Sequence, residues 1–490
     1  MPGTIAVDLC GPDGQPLPEN VRRTLYASDL HWRPWRRQVE LGAGGSVELE
    51  LRREPAMLHA NLPVPGFGHT WIESDNGGEG YRAGQRVEFV LDAARSRLAK
   101  VRTVLGDAAL AFRPSLELSS HLAGAEDRIH AALGASDPAK RGTAALQGLS
   151  AALWAGELAV VEVARRGLAS AGPRKGFLFG CNAFKYPGDP ASAYAQRFAD
   201  ALNFATLPFY LRGLEPEEGK PDYRRVDAIL DWCEEVGIKP KGHPLWWLHQ
   251  AGVPDWLAGS DWPTARAHCE RVVRRSVERY AGRIAVWDVI NEAHDWANGL
   301  NLTHDQLVEI TRVCVDTCHA ANPDATAIVN ICVPFGEPTA DGKVHWGPVY
   351  DHVRCPLDYL DVLFETGVAL DVIGVQIYFP ARDMLAISLL LDEYARFGAP
   401  IHVTELGVAS GPRDDAERAA TVWHAPWSQR VQAEWVEWFY TVAMAKPYLE
   451  AITWWDFADP AFIKLGGFLN EDDTPKQSYF RLQALTGGGR

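Results

Sequence analysis

From Phe177 to the end of the chain, short apolar runs alternate with longer amphipathic segments. Short apolar runs are typical of buried strands, and longer segments with a period near 3.6 residues are typical of helices. The predicted strands span 177–182, 204–210, 238–244, 284–290, 325–331, 371–377, 400–405 and 450–455. The predicted helices span 190–202, 222–237, 263–281, 304–321, 345–366, 382–397, 428–445 and 475–485. Eight strand–helix units predict an α/β fold, a closed (β/α)₈ TIM barrel rather than an open sheet.

The first 105 residues show a different pattern. Thr4–Leu9 alternates between apolar and polar positions, and 47–51, 87–91 and 101–104 are further predicted strands between turns rich in glycine, proline, asparagine and aspartate. Short strands at this spacing predict a β-sandwich-like N-terminal domain. An Ala/Leu-rich stretch over 116–168, broken once at 134–138, predicts two helices.

The chain therefore divides into three predicted regions. Its 490 residues exceed the roughly 100–200 residues usual for one domain. We expect a β-sandwich accessory domain over 1–108, a helical linker over 109–172 and the catalytic barrel over 173–490.

Charge and tryptophan content narrow the class of ligand. The net charge is −15, which disfavours nucleic acid and anionic membranes as partners and is compatible with a neutral ligand. The 18 tryptophans suit either aromatic cores or the apolar faces of sugars. No apolar run predicts a membrane span, and no signal peptide is visible at the N-terminus. The eight cysteines form no metal-ligand spacing, so we expect buried free thiols and a reducing compartment.

Polar side chains stand where the predicted barrel strands end, which is the active-site face of such barrels. Glu292 follows strand 4 and Glu405 ends strand 7, so the two carboxylates are expected to face each other across the barrel mouth. Two opposed carboxylates are what glycoside hydrolysis requires. The alternative is that each glutamate merely pairs with a nearby arginine. The neighbouring strand ends add further polar and aromatic candidates, which are His243, Asn291, Asn330, Gln376, Tyr378 and Trp455.

These residues lie in segments that resemble glycoside hydrolase family 10, the xylanase family. Trp287–Glu292, WDVINE, resembles the family's acid/base motif, and Val403–Leu406, VTEL, resembles its nucleophile strand. The resemblance covers about 177–487 in order and does not include 1–170. Further matching segments are Gly242–Leu245 with Trp247, Pro254–Leu257, Glu215-Pro216 with Gly219, Gly374–Gln376, Thr453–Trp455 with Asp459, and Pro475-Lys476.

The resemblance implies a role for each matching residue. Glu292 would be the general acid/base and Glu405 the nucleophile of a retaining reaction, with the carboxylates about 5–5.5 Å apart. Asn291 would bind the sugar 2-hydroxyl. Gln376 would bind sugar or orient Glu405. The pocket for the sugar at the cleavage point would be lined by His243 and Trp247, with Trp455 as its floor. No cofactor and no metal is implied.

The sugar-binding residues depart from the family pattern. The family's Asn and Lys after strand 2 are replaced by 207–210, so that Tyr210 lies there instead. Tyr378 stands where the family has a histidine after the strand-6 glutamine, and on strand 5 Asn330 is followed by Ile331 rather than Asp. The resemblance implies a β-1,4-xylosidic or related substrate. The departures make a decorated, aryl-linked or gluco-type β-glycoside the alternative. A non-catalytic glycan-binding barrel is the alternative outside enzymes. The resemblance favours export, whereas the visible sequence favours the cytoplasm, and the oligomeric state is left open.

Other aromatic residues have two interpretations each. Trp423 and Trp427, in the loop after strand 7, and Trp296, just past Glu292, could form a sugar platform or pack against the barrel. In the first domain the same choice between a carbohydrate-binding face and packing applies to His31, Trp32, Trp35 and Trp71.

Overall fold

The computed structural model describes residues 3–42, 45–108, 113–172, 174–294, 297–342, 353–378, 381–412 and 422–487. The strands are β1 Gly3–Asp8, β2 Tyr26–Ser28, β3 Val39–Leu41, β4 Val47–Leu51, β5 Met57–Val64, β6 Gly68–Ser74, β7 Arg86–Glu88, β8 Leu178–Asn182, β9 Phe204–Pro208, β10 Lys239–His243, β11 Val286–Asn291, β12 Thr326–Ile331, β13 Val372–Tyr378, β14 Ile401–Gly407, β15 Val422–Trp423 and β16 Leu449–Asp456. The helices are α1 Glu19–Arg22, α2 Phe89–Ala108, α3 Leu116–Gly134, α4 Pro138–Ala171, α5 Ala193–Ala201, α6 Leu211–Leu214, α7 Arg224–Val236, α8 Trp262–Arg279, α9 His304–Ala321, α10 Glu337–Asp341, α11 Pro356–Glu365, α12 Met384–Ala395, α13 Gln429–Met444 and α14 Gln477–Thr486.

The C-terminal strands form the predicted closed barrel. Eight parallel strands close in the order β10-β11-β12-β13-β14-β16-β8-β9. Their carboxyl ends share one face because parallel strands alternate with helices along the chain. All eight predicted barrel strands are present within three residues of their expected bounds. The helix expected over 345–366 is found over Pro356–Glu365, and the earlier part of that prediction lies outside the described residues.

The N-terminal strands form two sheets that share a hydrophobic cluster. One sheet has the order β3-β4-β1-β7 and the other has the order β15-β6-β5-β2. Alternate residues of both sheets, such as Val7 and Leu49 from the first and Ala60 and Ile72 from the second, lie in that cluster. We call residues 3–88 the N-terminal β-region. Its second sheet is completed by β15, a strand from the loop after barrel strand β14, which the sequence did not predict.

The prediction of a strand at 101–104 was wrong. Of the strand predicted at 87–91, only the first two residues are extended. Residues from Phe89 onward form helix α2. Leu91, Ala94, Leu98 and Val101 are buried at three- and four-residue spacing, which is the period of one helix face. These apolar residues are buried, as their type indicates. Their three- and four-residue spacing, rather than the short apolar runs, indicates the secondary structure that they form.

Helices α2, α3 and α4 form the link between the N-terminal β-region and the barrel, and we call residues 89–171 the helical bridge. The first part of α4, including Leu149 and Leu153, packs in the N-terminal cluster, while Ala155–Ala164 pack in the barrel's cluster. By length and hydropathy alone, α4 is the one helix of the described residues that could cross a membrane, and 72% of its apolar window is buried within the fold.

Candidate active site

Glu292 follows β11 and is held by two N–H donors. Gln376 Nε2 donates to its Oε1 at 2.8 Å, and Trp247 Nε1 donates to its Oε2 at 2.9 Å. The backbone of Glu292 is left-handed, with φ of 56°, and its own N–H donates to the Asn330 carbonyl at 2.8 Å. A left-handed residue other than glycine is uncommon and is concentrated at functional sites.

Glu405 lies in β14 and also accepts two hydrogen bonds. Asn330 Nδ2 donates to Oε1 at 2.9 Å, and the Tyr378 hydroxyl donates to Oε2 at 2.8 Å. His243 Nε2 lies 3.7 Å from Oε1. Only 5% of Glu405 and 6% of Glu292 is exposed, so both carboxyl groups are largely removed from water.

A chain of side-chain amides connects the two carboxyl groups. Gln376 Nε2, which donates to Glu292, also lies 3.2 Å from Asn291 Oδ1. Asn330 Nδ2, which donates to Glu405, lies 2.6 Å from the same Asn291 oxygen. The three amides therefore fix both glutamates relative to each other. In this network the Gln376 side chain donates to Glu292, while its backbone pairs with that of Glu405; the sequence offered Gln376 as a sugar ligand or as a residue that orients Glu405.

Burial sets the protonation of the pair. It raises the pKa of Glu292 to about 7, against the opposing effect of the N–H groups of Gln376 and Trp247. Burial and the charge of Glu292 also raise the pKa of Glu405 to about 7, while His243, the Tyr378 hydrogen bond and Lys241 lower it. Basic side chains, His243 and Lys241, therefore favour the ionised form of Glu405, whereas the groups that lower the pKa of Glu292 are neutral N–H donors. The two carboxyl groups therefore share a raised pKa but differ in their neighbours, with basic side chains only on the Glu405 side.

The neighbours of Glu405 are themselves ordered by a buried carboxylate. Asp288 Oδ2 accepts from Lys241 Nζ at 2.7 Å and lies 2.7 Å from His243 Nδ1. Burial alone would raise the pKa of Asp288, but Lys241 and His243 hold that pKa below its ordinary value. With Nδ1 engaged by the carboxylate, His243 directs Nε2 toward Glu405.

Aromatic side chains surround this polar centre. Trp455, at the end of β16, lies 5.0 Å from His243 between ring centroids. Tyr210 lies 5.6 Å from His243 and 5.8 Å from Trp247. All ten predicted site residues are thus brought together at the carboxyl ends of the strands, in direct contact or through one neighbour.

Two aromatic residues of this wall were missed by the sequence reasoning. Phe184, two residues after β8, lies 5.6 Å from Trp455 and 5.8 Å from Tyr210. Phe462, in the loop after β16, is 61% exposed and lies 5.2 Å from Tyr378. Their only sequence signal was position, since each follows the end of a barrel strand.

Three of the other tryptophan candidates are buried, two are half-buried, and one lies outside the described residues. Trp423 is 4% exposed, and Trp32 and Trp35 are 5% and 7% exposed, so they pack in the interior rather than forming a sugar platform. Trp71 and Trp427 are half-buried, and Trp296 lies outside the described residues.

No cluster of three His, Cys, Asp or Glu side chains suited to a metal is found in the described parts of the chain. All eight cysteines are described, and none forms a disulfide. Seven of them are buried, as the sequence predicted for structural thiols.

Two buried, unequal carboxyl groups at the mouth of a (β/α)₈ barrel define the kind of site used by glycoside hydrolases. Comparison with known families agrees, because the profile of Glycosyl hydrolase family 10 matches residues 191–326 and 348–466, just over half of the chain. The chain belongs to this family.

Named relatives are distant. The chain is 24% identical over 293 residues to endo-1,4-beta-xylanase B of Thermotoga neapolitana, covering 56% of this chain and 76% of that protein. It is 26% identical to endo-1,4-beta-xylanase 1 of Arabidopsis thaliana, covering 50% of this chain and 23% of that protein. The chain thus spans about a quarter of the length of the latter. A solved GH10 structure from Paenibacillus barcinonensis superposes with a TM-score of 0.51 at 17% identity, covering 64% of this chain and 96% of that structure.

Proposed function

We propose that the protein is a retaining β-glycosidase that cleaves β-1,4-xylosidic or closely related bonds. The observation that carries the proposal is the unequal environment of the two glutamates. Glu292 has only neutral N–H donors, whereas Glu405 faces His243 and Lys241. Double displacement uses one carboxyl group that gives a proton and a second, ionised one that attacks, and the basic side chains beside Glu405 support its assignment as the attacking group.

In the first step, a Glu405 oxygen attacks the anomeric carbon and forms a covalent glycosyl-enzyme. The bond from that carbon to the leaving oxygen breaks, and Glu292 gives its proton to this oxygen. In the second step, water attacks the anomeric carbon while Glu292 takes its proton, and the bond to Glu405 breaks. Asn291 accepts two hydrogen bonds through Oδ1, so its Nδ2, which also hydrogen-bonds Glu292, is its one group that can donate to a sugar hydroxyl.

The aromatic wall favours a substrate with more apolar surface than plain xylan. Tyr210 stands where family members carry sugar-binding polar side chains, and Phe184 and the exposed Phe462 add further rings around the site. Flat apolar faces stack on sugar rings and aryl groups. A decorated or aryl-linked β-glycoside is therefore the second candidate substrate.

The test replaces Glu405 with Gln, which keeps the size of the side chain but removes its charge. A screen of aryl β-glycosides and polysaccharides with the wild-type protein first identifies the cleaved substrates, and NMR of the first-formed sugar determines its anomeric configuration. We expect Glu405→Gln to abolish turnover and the wild-type product to retain the β-configuration. The matched control is Glu217→Gln at a surface pair whose two side chains are 71% and 75% exposed.

Near-normal activity of Glu405→Gln on every cleaved substrate would show that Glu405 is not the nucleophile. An inverted product would exclude double displacement. Ligand binding by the wild-type protein without hydrolysis of any substrate would identify a glycan-binding barrel instead.

A further inference from the structure

The N-terminal third of the chain contacts the barrel at segments that follow strands of the catalytic site. The first contact is a buried ion pair at the start of α12. Arg97 of α2 donates to both carboxylate oxygens of Asp383, at 3.0 and 2.8 Å, and also pairs with Glu73 of β6 at 2.9 Å. All three side chains are fully buried. Asp383 at the same time caps α12 by accepting from the Ala386 N–H at 3.1 Å.

The second contact extends from the N-terminal sheet to the same loop. The backbone N–H of Trp71 donates to the Ala381 carbonyl at 2.8 Å, and the Thr70 hydroxyl donates to the same carbonyl at 2.9 Å. The next residue, Arg382, is 2% exposed and its guanidinium lies 4.4–5.7 Å from the ring centroids of Phe335, Trp71 and Trp32. These aromatic residues therefore enclose a cation of the barrel rather than offering a face for carbohydrate.

The third contact holds residues 422–423, which lie between β14 and α13 along the chain. Trp423 Nε1 donates to Glu157 of α4 at 2.8 Å, and both side chains are buried. In the same segment β15 pairs with β6, through Val422 with His69 and Trp423 with Gly68. The approach is close, because a Cβ atom added to Gly68 would lie 2.1 Å from the Val422 carbonyl oxygen.

We propose that the N-terminal β-region and the helical bridge together form a fixed support of the catalytic site, and that Asp383 and Glu157 are positioning residues through which this support keeps Tyr378 and Glu405 in place. The inference rests on the proposed function for its kinetic readout. It gives these regions a role in positioning the catalytic groups, as an alternative to the accessory carbohydrate-binding domain that the sequence predicts.

The path from the support to the reacting groups is short. Ala381 and Asp383 follow β13, whose last residue is Tyr378, the hydroxyl donor to Glu405. β13 in turn pairs with β14 through Gln376 and Glu405. A buried charge pair favours one arrangement of its partners, since any other arrangement leaves a charge unpaired in the interior. A displacement of about 1 Å at a reacting group can cost about 100-fold in rate.

The experiment compares disruptive and conservative substitutions at both positioning residues in the full-length protein. Asp383→Ala and Glu157→Leu remove the acceptors, whereas Asp383→Asn and Glu157→Gln keep an oxygen that can accept. The matched control is Arg86→Ala, which removes a pair with Asp8 at an arginine whose side chain is 68% exposed, in the sheet of the N-terminal β-region that β15 does not join. Kinetics use the small aryl β-glycoside that the wild-type protein cleaves fastest, well below each variant's Tm.

We expect kcat on this small substrate to fall at least about 10-fold in the two disruptive variants and to recover within about 3-fold in the two conservative ones. Hydrogen–deuterium exchange should be faster in peptides that contain 372–378 and 401–407, while the control stays at the wild-type values. The exchange measurement needs no turnover, so it tests the support even if the wild-type protein cleaves no glycoside and the proposed function fails.

Two outcomes would overturn the inference. One is a lower Tm with unchanged kcat and unchanged exchange in both strands, which is the behaviour of a purely structural contact. The other is unchanged cleavage of the small glycoside together with a raised KM for a polysaccharide alone, which is the behaviour of a tethered binding domain.

Discussion

Tyr378→Phe isolates one hydrogen bond to the proposed nucleophile. The Tyr378 hydroxyl donates to Glu405 Oε2 at 2.8 Å, and burial holds the pKa of this tyrosine well above its ordinary value, so the group remains a donor. Phenylalanine keeps the ring and its contacts with Trp455 and Phe462, at 6.5 and 5.2 Å. The substitution therefore removes a donor without opening a cavity.

The magnitude follows from the energy of a charge-assisted bond. A hydrogen bond to an ionised carboxylate contributes about 1.5–3 kcal/mol, and one pKa unit corresponds to about 1.4 kcal/mol. The bond stabilises the ionised form, so its loss raises the pKa of Glu405 by about 1–2 units. Because the nucleophile must be ionised, the acid limb of kcat/KM should move upward by the same amount. At pH values below the acid limbs of both proteins, kcat/KM of the variant should be about 10–100-fold lower than that of the wild type. Above both acid limbs the difference should be much smaller.

The assay is the pH dependence of kcat/KM for wild type and variant with one aryl β-glycoside. Tyr280→Phe is the matched control, because its hydroxyl donates to Asp227 at 2.7 Å on the outside of the barrel. The control should leave the acid limb in place. An acid limb that stays in place or moves downward in Tyr378→Phe would refute the assigned role of the hydroxyl, as would an equal loss of activity at every pH.

Two further predictions concern the acid and the stability of the barrel. Trp247→Phe removes the N–H that donates to Glu292 and stabilises its ionised form. The pKa of Glu292 should therefore rise, and the basic limb of the pH profile of kcat/KM should move upward. A downward shift would contradict this. Lys476→Met leaves Asp459 without its 2.6 Å buried partner and should lower the free energy of unfolding by about 3–5 kcal/mol in urea titrations. Lys220→Met, at a pair whose side chains are 75% and 71% exposed, should change it by less than about 1 kcal/mol, and equal effects of the two substitutions would refute the reasoning.

The barrel was accessible from the sequence because each of its strands is a short apolar run between helices of regular period. That periodicity also placed Glu292 and Glu405 at strand ends, where the active site of such a barrel lies. Helix α2 was harder, since Val101–Val104 contains the residues expected of a strand and only the spacing over several turns distinguishes it from one. Strand β15 was out of reach, because two residues become a strand only through their partner in β6.

Within the site, the sequence indicated which residues gather but not what each one contacts. Trp247 was expected to line the sugar pocket, and the sequence did not indicate that its indole N–H also donates to Glu292. Asn330 was a candidate sugar ligand, and its Nδ2 joins Asn291 to Glu405. These contacts depend on how side chains from neighbouring strands meet inside the barrel, which residue spacing along one strand does not determine.

The position of β15 has a consequence for how the chain folds during synthesis. The edge of β6 at Gly68 and His69 is made early, but the residues that pair with it, Val422 and Trp423, leave the ribosome only after most of the barrel. Until then this edge presents unpaired N–H and C=O groups, which is where a sheet is open to pairing with another chain. Arg97 likewise stays without Asp383 for most of that time. The N-terminal third of the nascent chain therefore carries an open sheet edge until residues 422–423 are made, and slow translation between β7 and β15 would prolong that exposure.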